Sequence, residues 1–166
     1  MKGNSLAGLP LGEQVLAGTK FNVGAGLIRL TGRESPLPKN VDGIQVGARI
    51  RKLHILHATQ YSMEKKKDAG VAYFTVNYED QSQKKIAIEY GKDVRNWWYM
   101  ECEGPCRAEV AWNGASEYAK NTSGATLRLY VMRWTNPAPD CKVVSIDFAS
   151  AHSEVALFCV AMSVEE

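Results

Sequence analysis

Val71–Trp98, VAYFTVNYEDQSQKKIAIEYGKDVRNWW, is the stretch from which the rest of the chain is read. Every residue of Val71–Tyr78 is apolar, aromatic or a good strand former, and Phe74, Val76 and Tyr78 share one face when alternate residues point the same way. The polar turn Glu79-Asp80-Gln81-Ser82-Gln83 follows. Lys84–Tyr90 then repeats the pattern with Ile86, Ile88 and Tyr90 on one face. Tyr73, Thr75, Asn77, Ala87 and Glu89 fall on the other. The stretch therefore predicts a hairpin with one buried and one half-polar side. A charged elbow leads from it to paired tryptophans.

On the N-terminal side of the hairpin, residues 1–13 are expected to form an extended lead-in, and Leu6–Gly18, LAGLPLGEQVLAG, is punctuated by glycines and a proline. Thr19–Val23 and Leu27–Leu30 are short strand candidates around the turn Gly24-Ala25-Gly26. Ser35-Pro36-Leu37-Pro38-Lys39 is a rigid connection, because proline cannot sit inside a central strand. Asp42-Gly43 leads into Ile44–Val46, and Ile50–Ala58 forms a longer strand. Gln60–Gly70 is polar and carries Lys65-Lys66-Lys67, the signature of a solvated surface loop. On the C-terminal side come strand candidates Arg107–Trp112, Leu127–Thr135, Lys142–Ala149 and Val155–Val164. Asn113–Gly124 and Asn136–Asp140 separate them as turns. Leu127–Trp134 and Val155–Val164 are apolar on both faces and are expected to lie centrally. Val144, Ile146 and Phe148 alternate with Ser145 and Asp147, as on a strand with one wet face.

The chain has 166 residues, the size of a single domain able to bury its own core. A formal net charge of +2 is too small for a nucleic-acid binder, whose footprint is a dominant basic stripe. No apolar run approaches the roughly 18 residues of a membrane span, so no membrane insertion is expected. Met1-Lys2-Gly3-Asn4-Ser5 is not followed by an unbroken apolar stretch, so no signal peptide is expected. Two origins fit: a cytosolic protein, or a module cut from a longer chain, extracytoplasmic if its parent is exported.

Cys159 lies in an apolar run and reads as a small buried hydrophobe. Cys102 and Cys106 bracket a tight turn that either closes as a disulfide or keeps free thiols; Cys141 is an alternative partner. Zinc wants two closely spaced ligand pairs, which four such cysteines do not supply. His54 and His57, three apart on a strand, face opposite ways and cannot converge on one ion.

Many short strands at near-regular spacing, with no helical period, predict an all-β fold, a jelly-roll-type antiparallel β-sandwich formed as a single module over residues 1–166. The segments LAGLPLGEQVLAGTKFNV, NVDGIQVGARIRKLHILHAT, the hairpin stretch and LRLYVMRWTNPAPDCKVVSIDF resemble a β-sandwich module that recurs in large bacterial proteins. It is similar to the galactose-binding-like jelly-rolls, which include many carbohydrate-binding modules. Tyr90–Trp98 and Trp134-Thr135-Asn136-Pro137 carry most of the resemblance. What it implies is an accessory, non-catalytic role beside other domains of a larger chain, sometimes with a structural calcium held by backbone carbonyls and a carboxylate.

Sugars present apolar C–H faces, so exposed aromatic planes beside hydrogen-bonding side chains are the candidate ligand site. Trp98 and Tyr99, with Asp93 and Arg95 just before them, form the densest such group. Trp134 with Arg133 forms a second, while Trp112 is expected in the core. No Ser/His/Asp order, Cys–His pairing or phosphate loop is visible, and scattered acids such as Glu89, Asp93 and Asp147 make a weak glycosidase signal. The expected function is a non-catalytic module for carbohydrate or another cell-surface polymer. The alternative is a structural or protein-interaction module that orders neighbouring domains.

Overall fold

The computed structural model describes residues 4–32, 36–61, 70–100 and 107–166. Lys65–Lys67, Cys102 and Cys106, with the disulfide expectation, lie outside them. The opening stretch forms the expected hairpin, β6 (Gly70–Tyr78) and β7 (Gln83–Glu89), paired antiparallel with Phe74 opposite Ile86. Phe74, Val76, Tyr78, Ile86, Ile88 and Tyr90 are all buried, as their alternation requires.

Around it runs an all-β jelly-roll sandwich. One sheet joins β4 (Asn40–Ala48), β11 (Val143–Ser150), β6 and β7 in that order. The other orders β3 (Ile28–Arg29), β12 (Ala156–Glu165), β5 (Lys52–Gln60) and β10 (Thr126–Thr135). The short β8 (Trp98–Tyr99) and β9 (Glu109–Gly114) both pair with β10. Without β8, β9 and the N-terminal hairpin, the remaining eight strands in chain order read 1-8-3-6 in one sheet and 2-7-4-5 in the other. Every pairing between these strands is antiparallel, and all but one of the connections cross from sheet to sheet, the double Greek key of a jelly roll. Inner-face side chains fill the space between the sheets, with Phe74 stacked on Phe148 at 4.4 Å between ring centroids.

The N-terminal stretch adds a paired hairpin that the sequence reading did not name. Gly12–Leu16 forms β1, which pairs with β2 (Thr19–Val23) across a turn where Ala17 and Gly18 both take positive φ. This hairpin packs on β12 and buries Leu16, Phe21 and Val23. It covers the outside of the β5 sheet, so Leu53–Thr59 of β5 are all buried, none more than 2% exposed. Arg133 holds the hairpin down by donating to the Ala17 carbonyl while pairing with Glu109.

Three further departures have local causes. Asn113–Gly124, read as a turn, contains a short helix, α1 (Glu117–Ser123), capped by the Ser116 hydroxyl on the Ala119 N–H and by Gly124 in the left-handed region. In seven residues that include Asn121, Thr122 and Ser123, helical propensity is too weak to stand out. Val144 does not point inward with Ile146 and Phe148. A bulge between Val143 and Ser145 turns Val143 into the core and leaves Val144 40% exposed. The edge strand β4 runs well beyond Ile44–Val46, and Gly43 and Gly47 at φ 70° and 68° kink it where its register against β11 slips.

Candidate functional site

The sandwich places the Asp93–Tyr99 segment by its backbone. The Arg95 carbonyl accepts from the Thr59 N–H and the Trp97 N–H donates to the Thr59 carbonyl, each at 2.9 Å, while Arg128 N–H donates to the Trp97 carbonyl at 2.8 Å. Thr59 lies on β5 and Arg128 on β10, so two rigid strands fix the loop that ends in Trp98 and Tyr99.

Tyr99 faces an open groove of about 780 Å³ bounded by Met100, Asn113, Ser123, Thr126 and Arg128. The Arg128 guanidinium lies over the Tyr99 ring, 3.2 Å from its centroid, and its Nε donates to Asn113 Oδ1 at 3.1 Å. An aromatic plane, a cation and an amide thus stand together at the edge of the sandwich. Among the described residues that line the groove there is no carboxylate, imidazole or thiol. Arg128 and Asn113 escaped the sequence reading. The available signal was a single arginine within Leu127–Met132, an otherwise apolar run.

A second hollow, about 540 Å³, opens between the N-terminal segment, the Gly24–Leu27 turn and the outer face of the β5 sheet. Its floor includes Trp97 and Phe158, edge to face at 6.1 Å, and Leu9 is buried beside them. Leu11 and Leu27 at its mouth are 60% and 45% exposed. Trp98 bears on this hollow rather than lying open: its half-buried ring packs against Tyr118 of α1, and its indole N–H donates to Oδ1 of Asn4, a wall residue, at 3.1 Å.

The other expected site residues are dispersed. Asp93 fixes its own turn, its Oδ2 accepting from the Glu89 N–H at 2.9 Å. Burial raises the Asp93 carboxyl above the ordinary range, against the Glu89 N–H, which favours the charged form. Arg95 is buried. Arg133 is engaged by the N-terminal hairpin and Glu109. Trp134 is half-buried against the core, as is Trp112. The structure therefore brings together Tyr99 with two residues outside the expected set, and does not turn Asp93, Arg95 and Trp98 into the Tyr99 groove.

Three buried polar residues belong to the frame. His54 and His57 do face opposite ways: His54 Nε2 meets Glu165 Oε1 at 2.8 Å, whereas His57 Nε2 donates to the Asp93 carbonyl at 3.1 Å. Complete burial lowers the His57 pKa to about 4, so the ring is neutral at pH 7. Asn136, from the Trp134–Pro137 motif, is a buried knot. Its Oδ1 accepts from the Tyr78 hydroxyl and the Ala138 N–H, and its Nδ2 donates to the Ile50 carbonyl at 2.8 Å. Among the described residues no cluster of three or more His, Cys, Asp or Glu side chains is placed to hold a metal ion. No helix of the described residues is long and apolar enough to cross a membrane.

Comparison with known proteins adds no relative: no protein-family model, no curated protein and no solved structure matches this chain.

Proposed function

We propose that this chain is a non-catalytic binding module for carbohydrate, with the sugar lying in the groove beside Tyr99. The observation that carries the reading is the Tyr99–Arg128–Asn113 cluster. A tyrosine ring offers an apolar plane to pyranose C–H bonds. Arg128 uses Nε on Asn113, and its terminal amino groups have no partner among the described residues, which leaves donors for sugar hydroxyls. Among the groove's described lining residues, hydrogen-bonding and aromatic groups of the kind that hold a glycan predominate over the carboxylate pair that cleavage needs. The resemblance to galactose-binding-like modules points the same way.

The test is affinity electrophoresis through a panel of soluble polysaccharides. The wild-type domain is expected to be retarded by at least one of them. Tyr99→Ala and Arg128→Ala are expected to migrate freely while melting at the wild-type temperature. Free migration of the wild type on every polymer, or undiminished retardation of Tyr99→Ala, would overturn the proposal.

Exposed Leu11, Val15 and Leu27 support a second reading, a module that packs against a neighbouring domain through its N-terminal hairpin. In that case Val15→Lys weakens the domain contact and leaves polysaccharide retention intact.

A further inference from the structure

We infer that the hollow beneath the N-terminal segment is a second binding site, for a small aromatic carboxylic acid that carries a hydroxyl at its far end. Three observations converge on this class of ligand. The body of the hollow is apolar and aromatic, with Trp97 and Phe158 edge to face, and its volume of about 540 Å³ falls within the range of sites that enclose small molecules. Gln60 lines it, and Gln60 Oε1 is buried with no hydrogen-bond partner among the described residues. A buried amide oxygen without a donor is costly, and a ligand O–H satisfies it. Arg29, also on the lining, is exposed and has no ion pair among the described residues, so a cation stands at the solvent side.

These features set an order along the ligand. The hydroxyl goes in first, to Gln60. The flat ring lies between Trp97, Phe158 and Leu9. The carboxylate stays outermost, against Arg29, where charge keeps part of its hydration. An uncharged sugar suits this chamber poorly, because its hydroxyls would face apolar walls on most sides. The site is thus separate from the groove at Tyr99, and the two proposals stand or fall independently.

Isothermal titration calorimetry at neutral pH with para-hydroxycinnamate and cinnamate tests the inference, since the two differ only in the hydroxyl meant for Gln60. Saturable one-to-one binding of para-hydroxycinnamate is expected, and roughly tenfold weaker binding of cinnamate, the loss of one hydrogen bond. Gln60→Met is expected to bind both acids equally, at the strength of wild type for cinnamate; that retained binding also reports that the variant is folded. Arg29→Glu weakens both acids, and Tyr99→Ala changes neither. Absence of saturable binding to the wild type overturns the inference. So does a Gln60→Met variant that still prefers the hydroxylated acid, or an Arg29→Glu variant with undiminished affinity.

Discussion

Strands β5 and β6 are each nine residues long and interior to their sheets, yet they carry opposite patterns. In β6 buried Phe74, Val76 and Tyr78 alternate with half-exposed Tyr73, Thr75 and Asn77. In β5 burial is unbroken from Leu53 to Thr59. The difference lies in what each sheet meets on its outer side. The β6 sheet meets water, and a polar ladder runs across it: Asn77 Nδ2 donates to Asp147 Oδ2 at 2.8 Å and to Ser145 Oγ at 3.1 Å. The β5 sheet meets the N-terminal hairpin. A jelly roll with one bare and one covered face has one place where a third layer leaves a chamber, and the hollow lies there.

The contrast can be broken first at the cover. Phe21 is 2% exposed on β2, and Phe21→Ala is expected to cost about 3–5 kcal/mol in chemical unfolding. A loss below about 1 kcal/mol would mean that the hairpin is not part of the cooperative unit. The next largest effect is pH dependence from His57, buried beneath the same covered strand. Its folded pKa of about 4 lies below the ordinary histidine value of 6.5, so the unfolded chain takes up the proton first. The associated stability is full above pH 6.5 and is lost as pH falls towards 4, amounting to about 3 kcal/mol at roughly 1.4 kcal/mol per unit. Asp93, raised by burial, works in the opposite direction and is common to both proteins in a comparison with His57→Met. As pH falls from 6.5 towards 4, wild type is expected to lose about 3 kcal/mol relative to His57→Met; parallel curves would refute the assignment. The smallest effect belongs to the bare face. Asn77→Ala removes ladder hydrogen bonds that water can replace and is expected to shift stability by about 0.5 kcal/mol or less. A larger loss would show that the polar ladder is a structural element in its own right.

The sandwich was legible because alternation survives in β6 and β7, where one side must be wet and the other dry. The cover was harder to see. In LAGLPLGEQVLAG the glycines and proline mask β1, which becomes a strand only because the Ala17-Gly18 turn returns the chain along Thr19–Val23. Val144 misled because a bulge shifts the phase of β11, and a bulge leaves no periodic trace. The candidate site was legible only at Tyr99. The partners that give it a chemistry, Arg128 and Asn113, lie 29 and 14 positions further along, and only strand pairing brings them to the ring. The Trp134–Pro137 motif stood out in the sequence, but its Asn136 is locked against Tyr78 and Ile50 inside the protein.

The kinks at Gly43 and Gly47 have a consequence for life at high concentration. A straight outermost ribbon offers its free amide and carbonyl groups as a rail along which a second copy can zip, the first step towards a fibre. On β4 that rail is bent twice, and on the opposite border Lys84 and Lys85 of β7 add charge. Both borders of this sheet thus resist edge-to-edge pairing with a second copy.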